Sequence, residues 1–105
     1  MMVTNLDRSV DFYTDVLGFK IVQRYGNHYA QIAGPGIIIG LHPTAGALKP
    51  DDNISLGFLI TDIEQALHML TNFSLLYVER NERGGSFIHF NDPDGYALYF
   101  IKQNF

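Results

Sequence analysis

Four histidines, at positions 28, 42, 68 and 89, are the side chains of this chain best suited to hold a metal or pass a proton. There is no cysteine, which excludes disulfides, thiolate metal sites and cysteine nucleophiles. His42 and His89 each sit in a strand-like, apolar run. Period-two spacing puts Ile38, Gly40 and His42 on one strand face. By the same rule Phe87, His89 and Asn91 share a face, as do Ala97, Tyr99 and Ile101. Two imidazoles in one cavity could bind a metal. The preferred reading is plainer: His42 marks a strand end and His89 is a hydrogen-bonding wall. His28 adjoins the Gly26-Asn27 turn, and His68 falls on the polar face of a helix. No Ser-His-Asp arrangement is visible. The glycines at 34, 36, 84 and 85 have no helix behind them, so they read as hairpin turns rather than phosphate cradles.

The elements that would carry these residues come as an internal repeat. Val3-Thr4-Asn5-Leu6-Asp7-Arg8-Ser9-Val10 matches Ile60-Thr61-Asp62-Ile63-Glu64-Gln65-Ala66-Leu67 in chemical type, except at Arg8/Gln65 and Ser9/Ala66. After a one-residue gap, Phe19-Lys20-Ile21-Val22-Gln23-Arg24 lies over Leu75-Leu76-Tyr77-Val78-Glu79-Arg80. In the second copy Ile54–Ile60 reads as a strand. Thr61-Asp62 then starts a helix, with Glu64 completing a capping box. Ile63, Ala66, Leu67 and Leu70 follow helical spacing, and Asn72 stops the helix. In the first copy Asn5 or Asp7 opens a helix whose apolar face is Val10, Tyr13, Val16 and Leu17. Gly18 suits its left-handed end.

Three strand-like runs follow each helix. They are Phe19–Tyr25, His28–Ala33 and Gly36–His42, then Leu75–Arg80, Ser86–Asn91 and Tyr96–Lys102. Glu82–Gly85 and Asp92-Pro93-Asp94-Gly95 are turns, and Pro43–Asp52 is a linker. The pattern is β-α-β-β-β, twice. Only Met1-Met2-Val3 precedes the first helix, so the first strand is shorter than its counterpart by about four residues. Either this is a true feature or the natural start lies upstream of Met1.

Composition bounds the rest. A chain of 105 residues, 47% of them hydrophobic, suits one domain with one core. A net charge of −4 with no run of Lys or Arg argues against nucleic acid and anionic membranes as partners. No apolar stretch approaches the ~20 residues of a membrane helix. The N-terminus lacks a basic and an apolar region, so no signal peptide is expected. The expected location is the cytoplasm.

Asp7-Arg8-Ser9-Val10-Asp11-Phe12-Tyr13-Thr14-Asp15-Val16-Leu17-Gly18-Phe19 resembles the first-helix signature of the glyoxalase/bleomycin-resistance/dioxygenase (vicinal oxygen chelate) superfamily. Asn91-Asp92-Pro93-Asp94-Gly95-Tyr96 resembles its last hairpin. The resemblance implies an α+β fold: two βαβββ half-repeats, about 1–46 and 53–105 of a single domain 1–105. They would form a curved mixed sheet around a cavity, with helices on the outer face. It also implies a divalent metal held by His, Glu or Gln. The matching positions here are Gly40, Ser55 and Tyr99, and the first-strand position falls before Met1. That is a poor donor set.

The expectation is therefore a metal-free protein that binds an organic small molecule, as in drug sequestration. Its ligand-binding residues would be Ile38, His42, Ser55, Leu59, Phe87, His89 and Tyr99, with no catalytic residue and no cofactor. The alternative is a metal-dependent lyase, isomerase or dioxygenase holding its metal at His42 and His89. The resemblance also implies a homodimer. An interaction module whose cavity is filled by its own side chains is a third reading.

Overall fold

A computed structural model of the chain describes residues 1–46, 55–82 and 85–103. The expectations for Ile54, for most of the 43–52 linker and for Arg83 and Gly84 fall outside these residues. The order is β1 (Met2–Val3), α1 (Leu6–Asp11), β2 (Lys20–Tyr25), β3 (Tyr29–Gly34), β4 (Ile37–Pro43), β5 (Ser55–Leu59), α2 (Ile63–Asn72), β6 (Val78–Glu82), β7 (Gly85–Asn91) and β8 (Ala97–Gln103). This is βαβββ twice, built as two four-stranded mixed sheets. The strand orders are β1-β4-β3-β2 and β5-β8-β7-β6. In each sheet the strand before the helix pairs parallel to the last strand of its unit, and the other neighbours are antiparallel. The chain divides into two compact units, Met1–Pro50 and Asp51–Phe105.

In the first unit the apolar side of the sheet is set by alternation. Ala30, Ile32, Ile39 and Leu41 are buried, and α1 packs on β3 and β4. Asn5 caps α1: its side chain accepts the Arg8 N–H at 3.0 Å. The helix does not run on as a plain α-helix. Phe12–Val16 is a π-helical stretch, with the Leu17 N–H reaching the Phe12 carbonyl five residues back at 3.1 Å. The wider turn lets the consecutive residues Phe12 and Tyr13 both be buried. Their rings meet edge to face at 5.2 Å. Gly18 ends the segment at φ 74°, the left-handed position expected of it.

In the second unit Phe58, Ile88, Leu98 and Phe100 fill the helix side of the sheet, under Ala66 and Leu70 of α2. The helix begins one residue later than a Thr61 cap would place it. Asp62 is the N-cap, and its carboxylate accepts the Gln65 N–H at 3.1 Å. A carboxylate is as good a cap as a hydroxyl and adds charge at the positive helix end, so Thr61 and Glu64 do not form the expected box. The largest departure is at β6. The run expected to start at Leu75 pairs only from Val78.

Candidate ligand-binding site

Side chains that do not face the helices lie on the open face of each sheet. On β4 the buried residues are Ile39 and Leu41, while Ile38 and His42 are exposed and Gly40 lies on their side. On β5 only Phe58 is buried, which leaves Ser55, Gly57 and Leu59 on the open face. On β7 Ile88 and Phe90 face the core, so Phe87, His89 and Asn91 face outward. Leu98 and Phe100 are buried on β8, so Ala97, Tyr99 and Ile101 take the open side. Each of the seven residues expected to contact a ligand thus lies on an open sheet face. Ile38 and His42 belong to the first unit. Ser55, Leu59, Phe87, His89 and Tyr99 belong to the second.

The first open face carries a stacked aromatic ladder. Tyr25 stacks on Tyr29 at 6.4 Å, and Tyr29 stacks on His42 at 4.5 Å and 12°. The Tyr29 hydroxyl reaches over Gly40 and accepts from the Gln31 amide at 3.1 Å. His42 is therefore part of a ring stack. Tyr25, Tyr29 and Gln31 were not expected from the sequence. The register could have shown them, since Gln31 lies opposite Gly40 and Tyr25 opposite Tyr29.

The second open face is a cluster of three rings. His89 lies opposite Tyr99 in the ladder, with ring centres 5.5 Å apart. Phe87 stands 6.3 Å from His89 and 6.2 Å from Tyr99. Arg80 is opposite Phe87, and Val78 is opposite His89. Gly57 is opposite Tyr99 on the other side, and the Tyr99 ring lies flat across it, filling the space a Cβ would take. The bare backbone of Gly57 is what lets the ring settle there. Ser55 and Leu59 flank Gly57 two residues to each side. Leu59 is 55% exposed although it is a large aliphatic residue.

A cleft that the sequence did not reveal opens in the same unit. It is an open cleft of about 590 Å³ between residues 74–78 and the ends of β7 and β8, and His89 is the one expected ligand contact on its wall.

The family model for the glyoxalase/bleomycin resistance protein/dioxygenase superfamily matches residues 1–100. The chain belongs to this superfamily. Solved structures share the glyoxalase-superfamily fold across nearly all of this member. An integron cassette protein from the mobile metagenome of the Halifax Harbour sewage outfall aligns at TM-score 0.83 and 22% identity, covering 97% of this chain and 92% of the other. The fosfomycin resistance protein FosX of Listeria monocytogenes aligns at 0.81 and 14%, covering 99% and 88%. The lactoylglutathione lyase of Agrobacterium tumefaciens aligns at 0.78 and 14%, covering 97% and 88%. At these identities the likeness is one of fold.

The donors of this superfamily member do not fit the divalent metal that the superfamily implies. At the matching positions stand Gly40, which has no side chain, the hydroxyl of Ser55 and the phenol of Tyr99. The Tyr99 ring is committed to packing over Gly57. Among the described residues no three His, Cys, Asp or Glu side chains gather as a set that could hold a metal. A neutral hydroxyl and a phenol bind a hard divalent cation poorly against water.

Proposed function

We propose that this superfamily member is a metal-free protein that binds an organic small molecule, with drug sequestration as one use, and that it acts in the cytoplasm as a homodimer. Ligand contacts come from Ile38 and His42 on the first open face, and from Ser55, Leu59, Phe87, His89 and Tyr99 on the second. The observation that carries this reading is the ring cluster of Phe87, His89 and Tyr99, whose centres lie 5.5 to 6.3 Å apart. It stands beside positions whose side chains are unsuited to a cation. Sheet faces of water-soluble domains are usually polar on the open side. Here the open side keeps aromatic and aliphatic surface, the material from which small-molecule sites are made. The fosfomycin resistance protein among the fold relatives is in keeping with a drug as ligand.

Two measurements test the proposal. The first is metal content of protein purified without chelator, compared with His89→Ala. The expected result is no stoichiometric metal in either. One equivalent bound to the native chain and lost in His89→Ala would overturn the proposal. It would favour instead a metal-dependent lyase, isomerase or dioxygenase. The second is a thermal-shift screen against glycopeptide drugs, aromatic compounds and divalent metals. A ligand that binds only the folded state at one hundred times its Kd adds about 2.7 kcal/mol of stability. Organic hits are expected to raise Tm, and Leu59→Arg is expected to abolish the rise.

A further inference from the structure

The second unit is open at a place where the first is closed. In the first, β2 pairs with β3 from Lys20 onward. The repeat lays Leu76 over Lys20 and Val78 over Val22. In the second unit pairing begins only at Val78, opposite His89. Continuing that register would set Tyr77 against Phe90 and Leu76 against Asn91. Instead these two residues leave the ladder. Ser74, just upstream, takes φ 56°, a left-handed conformation uncommon for a residue other than glycine. The space left between this diverging segment and the strand ends is the 590 Å³ cleft.

We propose that this cleft is a binding site in its own right, for a neutral and largely apolar organic molecule with a hydrogen-bonding group at one end. Its size is that of a small-molecule pocket, which typically runs ~300–1,000 Å³. Leu75, Leu76, Tyr77, Val78 and Ala97 give it apolar walls, and among the described residues no Asp, Glu, Lys or Arg lines it. A charged ligand would lose its hydration there without gaining a counter-charge. The polar groups converge at one place. His89 and Asn91 stand two residues apart on the outward side of β7, and both reach the cleft. Leu76, on its wall, is 92% exposed. A bound molecule would cover this aliphatic side chain, which otherwise stands in water. Of the seven ligand contacts proposed above the site shares only His89, and it does not depend on their role.

The test uses the full chain and N-phenyl-1-naphthylamine, an uncharged probe that brightens in apolar surroundings. Saturable binding of one equivalent is expected. Ala97→Trp, which fills the cleft, should weaken it at least tenfold. Leu76→Asp should weaken it at least threefold, and a position this exposed tolerates the change without loss of fold. The sulfonated relative 1-anilinonaphthalene-8-sulfonate should bind at least tenfold more weakly than the neutral probe. Absence of saturable binding would overturn the proposal, as would equal affinity for the two probes. Binding lost in Leu59→Arg but kept in both cleft variants would move the probe to the open face; the cleft site would then be wrong and the proposed function would stand. Probe affinity that falls as protein concentration rises, with Leu76→Asp dissociating a dimer, would mean that a second copy of the chain fills the cleft, and that too would overturn it.

Discussion

Two glycine–tyrosine pairs show how single residues shape the open faces. In each, a tyrosine leans over a glycine of the neighbouring strand. The two differ in how tight the fit is. A Cβ built on Gly40 meets the Tyr29 hydroxyl at 2.9 Å and its ring carbons at 3.5 Å. That contact is with the far end of a side chain, which can swing a few tenths of an ångström. A Cβ on Gly57 falls within the Tyr99 ring itself. The whole ring must leave. Gly57→Ala is therefore expected to cost about 1 kcal/mol or more, in the range of overpacking, and to displace Tyr99 from its contacts with His89 and Phe87. Gly40→Ala should be close to neutral, since the small clash is offset by the smaller conformational freedom of alanine in the unfolded chain. Urea unfolding of the single variants and of Gly57→Ala/Tyr99→Ala checks this. The double variant removes the clash, so the two changes should couple by at least ~0.5 kcal/mol. Strict additivity would mean that Tyr99 does not rest on Gly57.

Among the elements, the β7–β8 hairpin is the most firmly specified, because one buried side chain organises it. Asp92 is 5% exposed. Its Oδ1 accepts the N–H groups of Asp94 and Tyr96, each at 2.9 Å. The backbone closes the same turn: the Asp92 N–H reaches the Tyr96 carbonyl at 3.1 Å and the Gly95 N–H reaches the Asp92 carbonyl at 3.0 Å. Gly95 supplies the positive φ of 89°. Asp92→Ala would leave two N–H groups without their acceptor, at a cost of ~1–3 kcal/mol. Asp92→Asn keeps an oxygen in place and should cost less. Equal losses for the two in a thermal melt would refute the hydrogen-bond account. This turn was legible in the sequence because Asp-Pro-Asp-Gly states its own geometry. Strand parity was legible only in part: period-two spacing groups Ile38 with His42 and Phe87 with His89, but the run Ile37–Leu41 is apolar at every position, so which group takes the open face followed from the family resemblance and not from the pattern. The π-helical stretch at Phe12–Val16 was not legible, because Val10, Tyr13, Val16 and Leu17 fit an ordinary helix equally well. The cleft was hidden for the same kind of reason. Leu75-Leu76-Tyr77-Val78 is as β-prone as any strand, and nothing in its residue types says that the first three leave the ladder.

For the molecule as a whole, the repeat is a measuring stick, and its two copies differ most in their first strands. All five residues of β5 pair with β8. Only Met2 and Val3 pair with β4, opposite His42 and Pro43. The backbone groups of alternate residues point to the same side of a strand. The His42 N–H reaches the Met1 carbonyl at 2.9 Å, so the N–H groups of Gly40 and Ile38 point toward that same edge. On that edge the Met1 ammonium donates to the Gly40 carbonyl, and Ile38 is 56% exposed. The same edge of β8 is covered: the Ile101 carbonyl accepts the Ile60 N–H at 2.9 Å, so Tyr99 and Ile101 face a complete partner strand. Amide hydrogen exchange should separate the two copies. Tyr99 and Ile101 should approach the protection of global unfolding, about 5–15 kcal/mol for a domain. Ile38 and Gly40 should exchange with little protection in dilute solution. Bare strand edges invite another chain, and the proposed homodimer gives one at hand. If a second copy covers this edge, protection at Ile38 and Gly40 rises with protein concentration by mass action, while Tyr99 and Ile101 stay as they were. Strong protection at Ile38 and Gly40 that is independent of concentration would mean that this edge is closed within a single chain. The short β1 would then be no opening for a partner.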